Sequence, residues 1–149
     1  MPKKLSSDLS VLKGLADFEI WGEDFKHYQE DRFYKGKFVL TDAGKFLAKL
    51  VPKEKYAKIE LFHNSMLKDL GVQNPDSPEV KKAIAGGGKI EIELIGDYME
   101  CRLYGESQTY GKYNMFDVDL PGLEKAVEET FGVGGMPVLV IPDYENVAV

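Results

Sequence analysis

The sequence predicts an α/β fold of the α+β kind, a single domain built on a mixed β-sheet flanked by helices. Three observations predict it. Residues 90–103 alternate apolar and polar side chains around a two-residue turn, residues 119–131 carry an apolar stripe at helical spacing, and residues 137–141 form a short apolar run after that helix. At 149 residues the chain is long enough to bury a core of its own as one domain.

Taken in order, Met1–Ser10 is polar with Lys3 and Lys4 and reads as a loose terminus. Leu15–Tyr34 has no clean period and reads as irregular, with an early strand at Phe18–Trp21. Lys37-Phe38-Val39-Leu40 reads as a strand entered through Gly36. Thr41 is placed to cap a helix in which Ala43, Phe46, Leu47 and Leu50 share a face and Pro52 lies beyond the end. From Tyr56 to Leu70 two readings stay open at the start. Ile59, Leu61 and His63 alternate as in a strand, while Phe62, Met66, Leu67 and Leu70 continue as a helix ending at Gly71, with Asn64 or Ser65 as its cap.

Gln73–Pro78 is rich in turn residues, and a short helical segment, Pro78–Ala85, leads into Gly86-Gly87-Gly88, read as a connection. Ile90, Ile92 and Leu94 then alternate with Glu91 and Glu93. Gly96-Asp97 makes a tight turn, and Met99, Cys101 and Leu103 share a face on the return strand. Asp119 is placed to cap a helix with Pro121 in its first turn and Gly132 at its end, and Pro137–Ile141 reads as a buried final strand.

A net charge of −6 argues against general binding of nucleic acid or of an anionic membrane, both of which select basic surfaces. Arg32 and Arg102 are the two arginines among nineteen basic residues, so an anion site here must lean on lysine and backbone amides. The single cysteine, Cys101, cannot close an intramolecular disulfide. No apolar run approaches a membrane span and no signal peptide is apparent, so a soluble, cytoplasmic protein is expected.

Three stretches could carry chemistry. Adjacent glycines contribute no side chains to a core, and successive amides in a glycine-rich connection can converge on an anion, with Lys89 adding charge at the rim. The stretch is not a Walker A loop, because Ile90 follows Lys89 where a hydroxyl must ligate magnesium, and it does not open a helix as a dinucleotide fingerprint does. His63 lies on an apolar side in either local reading, whereas His27 sits between Lys26 and Tyr28 as a solvated residue. Both a satisfied core histidine and a general base or nucleophile fit His63. Finally, Tyr104-Gly105-Glu106-Ser107-Gln108-Thr109-Tyr110-Gly111 brackets a polar loop between two Tyr-Gly steps; it reads as a turn after a strand, or as a loop offering a hydroxyl and close backbone approach. If the hairpin forms, Tyr104 and Gly105 return to the same end of the sheet as the glycines.

Phe62-His63, Gly86-Gly87-Gly88-Lys89 and Tyr104-Gly105-Glu106-Ser107-Gln108-Thr109-Tyr110-Gly111, in that order and at these separations, resemble the motifs of the janus/ocnus family over roughly residues 36–141. The last motif is the most specific. The resemblance implies a phosphohistidine-phosphatase-like fold over residues 1–149, with residues 1–35 a divergent N-terminal extension. It implies a metal-independent phosphatase acting on phosphoramidate side chains, above all phosphohistidine. His63 matches the catalytic histidine, Gly86, Gly87 and Gly88 the phosphate-binding loop, Lys89 the basic residue after it, Lys37 an active-site lysine, and Ser107 with Thr109 the loop closing the site. Lys89 stands where the family usually has arginine, replacing a planar fork with a point charge. The helical-looking Thr41–Leu50 falls where the family tends to have a loop and a second strand.

No cofactor or metal is expected. The partner is a phosphorylated protein or a small phosphoramidate, and neither nucleic acid nor membrane. A non-catalytic module that binds a phosphoresidue or another anion on the same fold is the alternative.

Overall fold

The computed structural model describes residues 7–22, 33–131 and 136–143. Its strands are β1 (Phe18–Gly22), β2 (Phe33–Thr41), β3 (Phe46–Pro52), β4 (Ile84–Ile95), β5 (Tyr98–Tyr104) and β6 (Val138–Pro142). They form one mixed sheet in the order β1-β3-β2-β4-β5-β6. The inner neighbours pair antiparallel, and the edge strands β1 and β6 run parallel to β3 and β5. The helices are α1 (Ser7–Gly14), α2 (Lys53–Tyr56), α3 (His63–Asp69), α4 (Pro78–Ala83) and α5 (Leu120–Phe131).

Because side chains alternate across a sheet, β2 feeds two cores at once. Phe38 and Leu40 join Ile90, Ile92, Met99 and the α5 stripe of Leu123, Val127 and Phe131 on one face. Phe38 stacks on Phe46 and meets Tyr113 edge-on, each with 4.8 Å between ring centroids. Val39 and Leu47 face the other way, against Leu12 of α1, Met66 and Leu67 of α3 and Val80 of α4. Lys45 fastens α1 by donating from Nζ to the carbonyls of Leu12, Lys13 and Leu15. A cation there also suits the negative end of the helix dipole.

Several expectations are corrected. Thr41–Leu50 is not a helix: residues 42–45 are a loop, and Phe46–Pro52 is a strand buried on both faces. A strand covered on both sides shows a run of apolar residues that periodicity cannot tell from a buried helix. Ser7–Ser10 belongs to α1 and not to a loose terminus. Helix α3 is capped by neither Asn64 nor Ser65, since its N-cap is Phe62, which supplies no side-chain hydrogen bond. The final strand is an edge strand with Leu139 exposed, not a buried one. Asp119 does cap α5, accepting from the Gly122 N–H at 3.1 Å. His27, Arg32 and Gly132 lie outside the described residues.

The largest correction concerns the glycines. Gly86, Gly87 and Gly88 are strand interior, paired with Leu40, Val39 and Phe38. Amides of a strand point alternately to its two sides, so these three do not converge on one anion, and Gly87 gives its N–H to the Gly111 carbonyl at 3.1 Å. What the glycines supply is space. A Cβ on Gly87 would stand 2.8 Å from the Phe38 carbonyl oxygen, 3.0 Å from the His63 ring and 3.2 Å from Ser107 Cβ. One on Gly88 would meet the Tyr104 carbonyl oxygen at 2.6 Å. Gly87→Ala should therefore cost about 1–3 kcal/mol by overpacking, read as a lower urea midpoint with an unchanged slope. An unshifted midpoint would mean that His63 and Ser107 are not held against the strand.

Candidate active site

His63 is the first residue of α3, and the extended backbone of Phe62 before it turns the chain onto the sheet. The imidazole lies over Gly87 and is 5% exposed. Its Nε2 is 2.9 Å from the Gly88 carbonyl oxygen, and a carbonyl can only accept, so Nε2 carries the hydrogen. In the neutral ring Nδ1 then keeps a lone pair. It has no partner among the described residues and is not sealed from solvent. Burial, reinforced by the charges of Lys37 and Lys89, pushes the His63 pKa down to about 4, and the Gly88 bond opposes this without reversing it.

Lys37 and Lys89 are direct partners in the β2–β4 ladder, on the same sheet face as Gly87. Like charges facing each other across a sheet are unfavourable. Neither lysine has a carboxylate partner among the described residues, and burial together with Lys89 holds the Lys37 ammonium below the usual lysine range. Lys49, across from Lys37 on β3, is by contrast paired with Asp69 at 2.7 Å.

The hairpin brings the polar loop to this place, since Lys89 lies opposite Tyr104 in β5. Gly105 and Gly111 take φ values of +73° and +86°, so each Tyr-Gly step is a left-handed turn point. Between them Ser107 and Gly111 exchange both backbone hydrogen bonds, at 3.1 and 2.8 Å, and Ser107 Oγ accepts the Tyr110 N–H at 3.0 Å.

Lys37, Phe62, His63, Lys89, Gly105, Glu106, Gln108 and Thr109 line one cleft of about 500 Å³. Of the residues singled out in the sequence, His63, Lys37, Lys89 and Thr109 therefore share one cleft. Ser107 does not line it and is buried against Gly87, and Gly86–Gly88 do not line it either: Gly87 lies beneath the His63 ring. Phe62, Glu106 and Gln108 line the cleft without a role assigned from sequence; all three lie inside the motifs that carry the resemblance. A groove of about 550 Å³ runs between β1 and α5, but there Asp17 and Glu129 outnumber Lys125, whereas in the cleft Lys37 and Lys89 outnumber Glu106.

No family model matches this chain, and no curated protein matches it. Among the described residues no three His, Cys, Asp or Glu side chains are grouped to hold a metal ion, and no helix is long and apolar enough to cross a membrane.

The depressed His63 pKa fixes a pH dependence of stability. Between about pH 6.5 and 4 the unfolded chain takes up a proton at this residue and the folded chain does not, so stability falls as pH falls through that window. The slope from this one group is at most about 1.4 kcal/mol per pH unit. Denaturant unfolding of the wild type and of His63→Asn should diverge over this window, with the variant losing less. Parallel curves would mean that His63 is protonated in the folded protein.

Proposed function

We propose that the cleft hydrolyses the P–N bond of a phosphoramidate side chain, phosphohistidine above all, without a metal ion. The observation that carries this reading is the Lys37–Lys89 pair, which outnumbers the Glu106 carboxylate of the cleft and has no ion-pair partner among the described residues, beside a neutral imidazole whose Nδ1 has none either. A phosphoryl group brings about two negative charges and would relieve the repulsion between the lysines, which hold its oxygens. Thr109 lines the same cleft and carries a hydroxyl that can add a hydrogen bond.

His63 Nδ1 either takes a proton from an attacking water or attacks phosphorus itself. In the first case the water oxygen bonds to phosphorus, the P–N bond breaks with its electron pair leaving on nitrogen, and that nitrogen gains a proton. In the second, Nδ1 forms the new bond to phosphorus as the substrate P–N bond breaks, its electron pair leaving on nitrogen, which takes a proton from solvent; a water oxygen then bonds to phosphorus and the Nδ1–P bond breaks, returning the lone pair to Nδ1. A pKa near 4 makes His63 by itself a weak base. The bound dianion offsets the two lysine charges that help to depress it, and so raises the basicity when substrate is present.

The resemblance to the janus/ocnus motifs supports the same reading. So does the loop and second strand at residues 42–52, where that resemblance implies them. A cytoplasmic location and a phosphorylated protein as partner belong to this proposal. A second reading, an anion-binding module without turnover, is favoured by one observation: His63 is buried and tied to Gly88 as a structural histidine would be.

The test is phosphate release from phosphohistidine, phospholysine and phosphoserine in EDTA. Turnover of the P–N substrates is expected in chelator. His63→Asn should lower kcat by about 10²-fold or more, and Lys37→Met should weaken substrate binding about tenfold. Phosphate binding without turnover would support the second reading. Activity lost in EDTA and restored by a divalent cation would overturn the metal-free mechanism.

A further inference from the structure

Phe62 is misplaced by two ordinary rules. Helix N-caps favour Ser, Thr, Asp and Asn, yet Phe62 fills that position on α3 and makes no capping hydrogen bond. Large aromatic side chains gain from burial, yet Phe62 is 52% exposed. Ile59, Phe116 and Leu139 are also exposed, but Phe62 is the one of these four that lines the cleft. The cleft is larger than a phosphoryl group alone requires, since volumes of about 300–1,000 Å³ accommodate whole small ligands. The Lys37 ammonium lies 5.8 Å from the Phe62 ring centroid, so a phosphoryl group held by Lys37 brings its carrier within reach of that ring.

We propose that Phe62 is the residue that selects a phosphoryl group carried on a planar ring over one carried on an aliphatic chain. This rests on the hydrolase reading of the same cleft. An imidazole bonded to phosphorus is flat and aromatic and can lie offset against the Phe62 ring, an arrangement that contributes beyond simple area burial. An aliphatic phospholysine chain makes no such stack, and the bare phosphoramidate ion has no carrier to place there. Phe62 acts on binding and takes no part in bond making.

The experiment measures kcat and KM for phosphohistidine, phospholysine and the phosphoramidate ion with the wild type, Phe62→Leu and Phe62→Trp. Phe62→Leu keeps apolar bulk and removes the ring; because the side chain is exposed, its melting temperature should stay near wild type. The expected result is a loss in kcat/KM for phosphohistidine about three- to tenfold greater than for the other two substrates. That loss should lie in KM and be restored in Phe62→Trp. Equal losses on all three substrates, or no loss on phosphohistidine, would overturn the role of Phe62 and leave the hydrolase reading standing. A wild type inert on all three would overturn the hydrolase reading, and this proposal with it.

Discussion

The site depends on one contact, the imidazole of His63 lying against a strand with no side chain beneath it. Any Cβ at Gly87 would intrude on the ring, on Ser107 and on the Phe38 carbonyl together. With that space open, the ring descends far enough for Nε2 to reach the Gly88 carbonyl, which sets its tautomer and leaves Nδ1 as the free nitrogen. The same bareness lets the loop after β5 close over the strand, through Gly87 N–H to the Gly111 carbonyl. Three glycines in a strand cost stability, and here they convert a sheet surface into a place where a helix start and a loop meet.

Electrostatics separate this place from the rest of the same face. One step along the same three strands, Lys35, Glu91 and Arg102 stand in register. There Glu91 accepts from Arg102 at 3.1 Å and from Tyr104 at 3.0 Å, and lies 3.3 Å from Lys35. Arg102 also donates to Glu93 and Glu100, each at 2.9 Å. Every described cation of that row is therefore balanced. In the row of Lys37, Lys89 and Tyr104 no carboxylate among the described residues pairs with either lysine, although both contribute to depressing a nearby imidazole. An unbalanced pair beside a balanced network is the arrangement that an arriving anion would complete.

What can be read in the sequence divides along physical lines. The β4–β5 hairpin and α5 are legible because alternation, a Gly-Asp turn and an Asp cap are local signals. The strand β3 is not, because burial on both faces erases the period-two pattern and leaves an apolar run that fits a helix equally well. The glycines point to the right place but not to the right role. A Gly triplet looks the same whether it frees amides or removes side chains, and pairing with β2 decides which. Lys37 and Lys89 stand out separately in the sequence, but their direct opposition is a matter of register between strands about fifty residues apart, which no local rule reveals. Phe62 stands out only as the aromatic before His63. Its exposure becomes informative once the cleft is known.

The position of the cleft follows from how the helices cover the sheet. One face is closed by α5. On the other, α1, α3 and α4 cover Val39 and Leu47, with Leu61 before α3 in the same cluster, and at Phe62 and His63 this cover borders the cleft. His63 stands at that margin, buried enough to stay neutral, while Lys89 on the uncovered side stays solvated. A histidine deeper in the helix would meet only apolar neighbours and no ligand. One farther out would regain its ordinary pKa and lose its fixed tautomer. The margin between a packed helix layer and a charged open sheet is where a neutral imidazole and unpaired ammonium groups can share one small volume, and the glycine strand is what allows them to come that close.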